Sequence, residues 1–255
     1  MDFRKIFDSI PDEFDKWRPR YCDELFSDLI EYAKLDSSKT ALEVGLGTGQ
    51  ATEPILKTGC SYMAIELGEN FAEFTKNKFS SYDNFQIVND DFETYDFGND
   101  RFDLVYSAAA FQWIPEKIGY PKAYNILKNN GTFAMFMTRS DMRPGGGYTD
   151  EPLYSKIQEV YAKYFHPETK YTCKLDYDAR EKYGFTDLEC YEYYKTREYN
   201  ADDYVSLIGT HSDHLTLEEP YKTKFFEGIR EVILSSGNKI TIYDKIVLYL
   251  ARKVK

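Results

Sequence analysis

The 255-residue chain predicts an α/β fold: an open, doubly wound, mostly parallel sheet with helical insertions. Three observations carry this. A turn with glycine at every second position joins an apolar strand candidate to a helix-compatible segment. Four strand candidates between residues 39 and 138 follow one another, and three of them end on acids. Helical segments separate them, and that alternation demands crossovers between parallel strands.

Residues 1–38 precede the first strand. Tyr21, Leu25, Leu29 and Ala33 recur at every fourth position and mark one face of an amphipathic helix. Pro19 holds the chain out of helix just before it. The first strand is residues 41–44, followed by Gly45, Gly47 and Gly49 and a helix at residues 50–57. Strand, tight turn and helix N-terminus form the unit that holds nucleotide-like ligands, with glycine wherever Cβ would obstruct the backbone or the ligand. The spacing departs from the dinucleotide fingerprint G-x-G-x-x-G/A: its third position falls on Gln50, and Gly49 is displaced by one. Glu43, at the end of the strand, repels a pyrophosphate and welcomes a cationic amino group. The loop therefore suits S-adenosylmethionine better than NAD.

The second strand, residues 61–66, ends on Glu66, 21 residues after Gly45, where an acid accepts from both hydroxyls of a ribose. The third, residues 85–88, runs into Asn89, Asp90, Asp91 and Phe92. The fourth, residues 102–106, runs into Ser107, Ala108 and on to Trp113. Four tips at one carboxyl edge describe one crevice.

These segments, with the turn at residues 127–133, resemble the class I S-adenosylmethionine-dependent methyltransferases, in the group that includes trans-aconitate methyltransferase. The resemblance covers residues 39–138 and implies a seven-stranded Rossmann-like sheet, with residues 188–199 and 245–252 as its antiparallel end. It implies a cofactor site of Glu43, Gly45, Gly47, Thr48, Gly49, Gln50, Glu66, Leu67, Asp90, Asp91, Phe92, Ser107 and Ala108. A segment like Trp17-Arg18-Pro19-Arg20-Tyr21 folds over the cofactor's methionine end in that group, which adds Arg18 and Tyr21; simple packing of Trp17 and Tyr21 is the competing reading. Gln112 stands where relatives often carry histidine, so no base is available there.

Residues 139–187 and 200–237 exceed what connections require, and with the N-terminal helix segment, residues 1–38, they are expected to cap the crevice of a single domain. They hold the glycine turn at residues 144–148 and two amphipathic helices. Arg139 and Arg143 are candidates for carboxylate recognition. His211 and His214, with His166 further off, are candidate general bases, since imidazole titrates near neutrality. A solvated surface position is the competing reading for each. Trp113, Arg139 and His211 are the residues expected at the acceptor.

Net charge is −11 and basic residues form no long run, so a phosphate backbone is repelled over most of the surface. The acceptor is accordingly expected to be a small molecule, methylated on a carboxylate or hydroxyl oxygen, with no nucleic-acid or membrane partner. The 23 Tyr and 18 Phe are read as core and half-buried surface. Cys22, Cys60, Cys173 and Cys190 show no metal-ligand spacing, so no metal is expected. No apolar leader or 18-residue apolar stretch occurs, and a soluble cytoplasmic monomer or homodimer is expected. An NAD-linked oxidoreductase and a non-catalytic cofactor-binding protein remain as alternatives.

Overall fold

The structure, a computed structural model, describes residues 2–141, 151–168 and 175–254. The expected turn at residues 144–148, Arg143 and Cys173 lie outside the described residues. A 3-10 helix, Phe3–Ser9, and helix α1, Pro11–Trp17, lead into α2, Asp23–Ala33. Strand and helix then alternate: β1 Thr40–Val44, α3 Thr52–Leu56, β2 Ser61–Glu66, α4 Glu69–Lys78, β3 Phe85–Asn89, β4 Phe102–Ala108, α5 Glu116–Ile126 and β5 Leu127–Ser140. The second half holds α6 Glu151–Tyr164, β6 Phe185–Tyr199, α7 Ala201–Ile208, α8 Ser212–Leu215, α9 Tyr221–Ser235 and β7 Ile240–Lys253.

The seven strands form one sheet in the order β3-β2-β1-β4-β5-β7-β6. Strands β1 to β5 are parallel, and β7 is antiparallel to both β5 and β6. The chain winds outward from β1 to β3 and then returns to place β4 on the other side of β1. That reversal leaves a crevice beyond the carboxyl ends of β1 and β4, the place where such sheets bind ligands. Strand β1 is paired on both edges and covered on both faces, which is why Ala41, Leu42 and Val44 are all buried.

One face of the sheet carries α2 and α3. Leu25, Phe26, Leu29 and Ala33 are buried there, and Phe26 meets Phe136 of β5 edge-on at 6.0 Å. Burial of each such aliphatic side chain contributes about 1.5–3 kcal/mol. The other face carries α5, with Tyr120, Phe111 and Phe133 in mutual contact. A third apolar cluster joins α6, α7 and α9 through Ile157, Tyr204, Phe225, Ile229 and Ile233, and Trp17 of α1 packs against it.

Two expectations change. The terminal strands begin earlier: β6 at Phe185, ahead of a register shift between Thr186 and Glu189, and β7 at Ile240, where Asp244, paired with Arg197, interrupts the apolar pattern. Of the stretch 139–187, helix α6 joins the third cluster, whereas residues 175–184 return to the sheet. There Tyr177 stacks on Tyr249 at 5.1 Å and Ala179 is buried beside α5.

Candidate functional site

A cavity of about 560 Å³ lies beyond the carboxyl ends of β1 to β5. Its base is the glycine turn. Gly45 has φ +67°, and an added Cβ would fall 2.6 Å from the Cβ of Ala110, so the turn and the β4 tip approach only through glycine. Gly47 has φ +58° and faces the cavity, as does Gln50.

At the end of β2, the Glu66 carboxylate accepts from the backbone N–H of Gly47 and of Gly68, each at 2.9 Å. Burial pushes its pKa up to about 7, against the lowering effect of those N–H donors. Leu67 follows on the same wall. At the β3 tip, Asp91 accepts from Arg4 Nη2 at 2.9 Å and from the N–H of Glu93 at 2.9 Å. Asp90 is more exposed and accepts from the N–H of Asp91 at 2.7 Å. Phe92 is buried against Phe97 and Phe111. Ala108 completes this side.

The opposite end holds Arg18, Tyr21, Trp113 and His211. Arg18 Nη2 donates to the carbonyl of Thr210 at 2.6 Å, and its Cζ sits 4.8 Å from the centre of the Phe14 ring. Burial lowers the Arg18 pKa to about 10. Tyr21 meets Phe136 edge-on at 4.8 Å, and burial raises its pKa. His211 is held well below the usual imidazole range by burial and then by the nearby Arg18, so it is neutral. His214 also lines the cavity, with Nε2 and the Tyr161 hydroxyl 2.8 Å apart; burial and Arg18 lower its pKa to about 4.

Five expected site residues do not line the cavity. Glu43 falls on the opposite side of β1, where its Oε2 accepts from Thr52 at 2.6 Å, from Tyr106 at 2.9 Å and from Tyr62. Strand alternation turns it away from the crevice, so it does not welcome a ligand's amino group. Thr48 is fully buried and accepts from Gln50 at 2.6 Å. Gly49 lies under the Phe79 ring, which a Cβ would approach to 2.4 Å. Ser107 donates to the carbonyl of Val44 at 2.8 Å and ties β4 to β1. Arg139 is exposed at the end of β5, with its guanidinium 5.2 Å from the centre of the Tyr177 ring, while Met137 and Thr138 before it line the cavity. His166 also lies elsewhere, against Tyr221.

The N-terminal part of the cap is the strap of residues 3–17, and the side chains with which it lines the cavity, Arg4, Phe7, Asp8 and Phe14, were not among the expected site residues. Asp8 accepts from the N–H of Phe71 at 2.9 Å and caps α4; an added Cβ at Gly68 would collide with it at 2.3 Å. A signal was present. Phe3, Phe7, Ile10, Phe14 and Trp17 recur at alternating four- and three-residue spacing, a helical apolar stripe.

Residues 42–135, which contain the turn and the four strand tips, match the methyltransferase domain family. That segment is a methyltransferase domain, and the protein is an S-adenosylmethionine-dependent methyltransferase. The methyltransferase is 21% identical over 250 residues to an rRNA adenine N-6-methyltransferase of Limosilactobacillus reuteri, a match covering 89% of this chain and 91% of the other. Two solved structures share its fold. The YcgJ protein of Bacillus subtilis has a TM-score of 0.61 at 11% identity, with 92% of this chain and 100% of that one covered. Phosphoethanolamine N-methyltransferase 2 of Haemonchus contortus, in complex with S-adenosyl-L-methionine, has a TM-score of 0.58 at 14% identity, with 100% and 60% covered.

Proposed function

We propose that the methyltransferase transfers the methyl group to an oxygen of a small acceptor enclosed beneath the strap. The carrying observation is the unequal ends of one cavity. One end presents Glu66, Asp91 and Phe92 for a nucleoside; the other, roofed by the strap, presents the neutral imidazole of His211 beside Trp113 and Tyr21. The cofactor, when bound, supplies an activated methyl on sulfur. The protein's part is to align the acceptor and exclude water, which is worth roughly 7–11 kcal/mol when the reacting atoms are held about 3–3.5 Å apart. Glu66, Asp91 and Phe92 would hold the cofactor with its sulfonium methyl open to the acceptor oxygen, and a hydroxyl acceptor would give its proton to a ring nitrogen of His211. A carboxylate acceptor needs no base.

The resemblance to an rRNA enzyme supports RNA as the second reading, against which stands the net charge of −11. A screen with methyl-labelled cofactor against carboxylates, phenols, amines and ribosomal RNA separates the two. Label in carboxylates or phenols is the expected outcome; label confined to RNA or to cationic amines would overturn it.

Glu66 is assigned to the ribose diol. Glu66→Ala is expected to weaken S-adenosylhomocysteine binding about tenfold or more, since charge-assisted hydrogen bonds contribute roughly 1.5–3 kcal/mol each. Its raised pKa also has a direction. The stabilisation from protonated Glu66 in the unliganded protein is present below the usual carboxylate range and lost as pH rises through about 7. Ligand hydroxyls favour the ionised form, so affinity should run the other way and weaken as pH falls below about 7. Calorimetry from pH 6 to 8 on wild type and Glu66→Gln checks this, and a pH-independent wild type contradicts it.

Asp91 is assigned to the adenine amine, with Phe92 against the ring. Asp91→Asn should weaken binding severalfold and Asp90→Asn should leave it unchanged; the reverse pattern would shift the assignment by one residue.

A further inference from the structure

We infer that Arg18 is a positioning residue that makes the placement of His211 depend on the cofactor, an inference that rests on the reading of the site above. The guanidinium stands where two distant parts of the wall meet. It leaves the chain just after α1, lies against Phe14 and Phe7 with Cζ 4.8 and 5.4 Å from the ring centres, and reaches the carbonyl of Thr210 at 2.6 Å. Thr210 immediately precedes His211 in the turn between α7 and α8.

Guanidinium carries five N–H donors in a fixed fork. The Thr210 carbonyl takes one, and Nε is buried with no acceptor. A buried cation in this condition is short of both charge and acceptors. A ligand carboxylate answers both needs, and the amino-acid end of the cofactor carries one.

His211 has the complementary deficiency. Its backbone N–H donates to the carbonyl of Ile208 at 3.0 Å, but its ring makes no hydrogen bond among the described residues. The direction of the imidazole is therefore set by the main chain of the turn and by its edge-on contact with the His214 ring at 5.3 Å, and a side chain that ties that main chain to the strap is Arg18. With a carboxylate on the other side of the fork, the guanidinium is held from two directions and the turn is fixed with it. Without one, the guanidinium ties the turn to the strap through a single hydrogen bond. Cofactor loading thereby completes the acceptor half of the cavity, and the acceptor is expected to bind second.

Backbone hydrogen exchange over residues 207–215 tests this on the full chain, with and without saturating S-adenosylhomocysteine, for wild type, Arg18→Gln and Arg18→Lys. Arg18→Gln should bind the ligand about tenfold or more weakly. In wild type the ligand should slow exchange in this turn; in both variants at saturation the slowing should be lost. Arg18→Lys keeps the charge without the fork and provides the comparison should Arg18→Gln fail to fold. Equal slowing in wild type and variants, or ligand bound to wild type without slowing, overturns the inference alone. A folded wild type that binds no S-adenosylhomocysteine overturns the underlying site reading instead.

Discussion

Gly47→Val is expected to abolish cofactor binding while the sheet remains folded. At Gly47 an added Cβ has room among the protein atoms, its nearest neighbour being a ring carbon of Phe14 at 3.6 Å. The obstacles are the backbone, at φ +58°, and the cavity itself. A left-handed conformation costs an L-residue about 1–2 kcal/mol, and a β-branched one tolerates it worst. The γ-methyls would fill the space a ligand must occupy. Gly49 is the internal contrast, because its added Cβ would stand 2.4 Å from Phe79. Gly49→Ala should therefore lower the melting temperature, whereas Gly47→Val should remove the thermal shift given by S-adenosylhomocysteine. A normal shift in Gly47→Val would make the turn a structural device only.

His211→Gln should lower kcat for a hydroxyl acceptor by roughly 10²–10⁴-fold, the usual contribution of a positioned base. Affinity for S-adenosylhomocysteine should change little. The imidazole is neutral at pH 7 because burial and the Arg18 charge both oppose its protonation. The unprotonated form that base catalysis requires is thus the resting form, and wild-type activity should persist well below the ordinary imidazole pKa. A carboxylate acceptor should show no such loss. If His211→Gln leaves turnover of a phenol intact, the proton has another destination.

Strand tips were legible in the sequence because periodicity and terminal acids coincide there. Glu66, Asp91 and Phe92 could be placed beside one crevice from spacing alone. Glu43 could not, since a residue at a tip points to either face and the partners that claim it, Tyr62 and Tyr106, come from neighbouring strands. Arg139 was misplaced for a related reason: β5 runs on to Ser140, and its last side chains turn out over Tyr177. The strap was hidden differently. Its stripe of aromatics is plain, but what it covers depends on ion pairs from Arg4 to Asp91 and Glu93, 87 and 89 residues away. Local pattern carries no information about such partners. The last strand was cut short because charges that satisfy each other inside a sheet look like a loop.

None of the strap's side chains between Phe3 and Trp17 is fully buried, although they roof the whole cavity. Segments with little buried surface are the first to open, and an opened terminus is what a protease cleaves. A ligand beneath the strap opposes that opening, by about 2.7 kcal/mol at a free concentration one hundred times its Kd. Limited proteolysis within residues 3–17 is accordingly expected to slow when S-adenosylhomocysteine is bound.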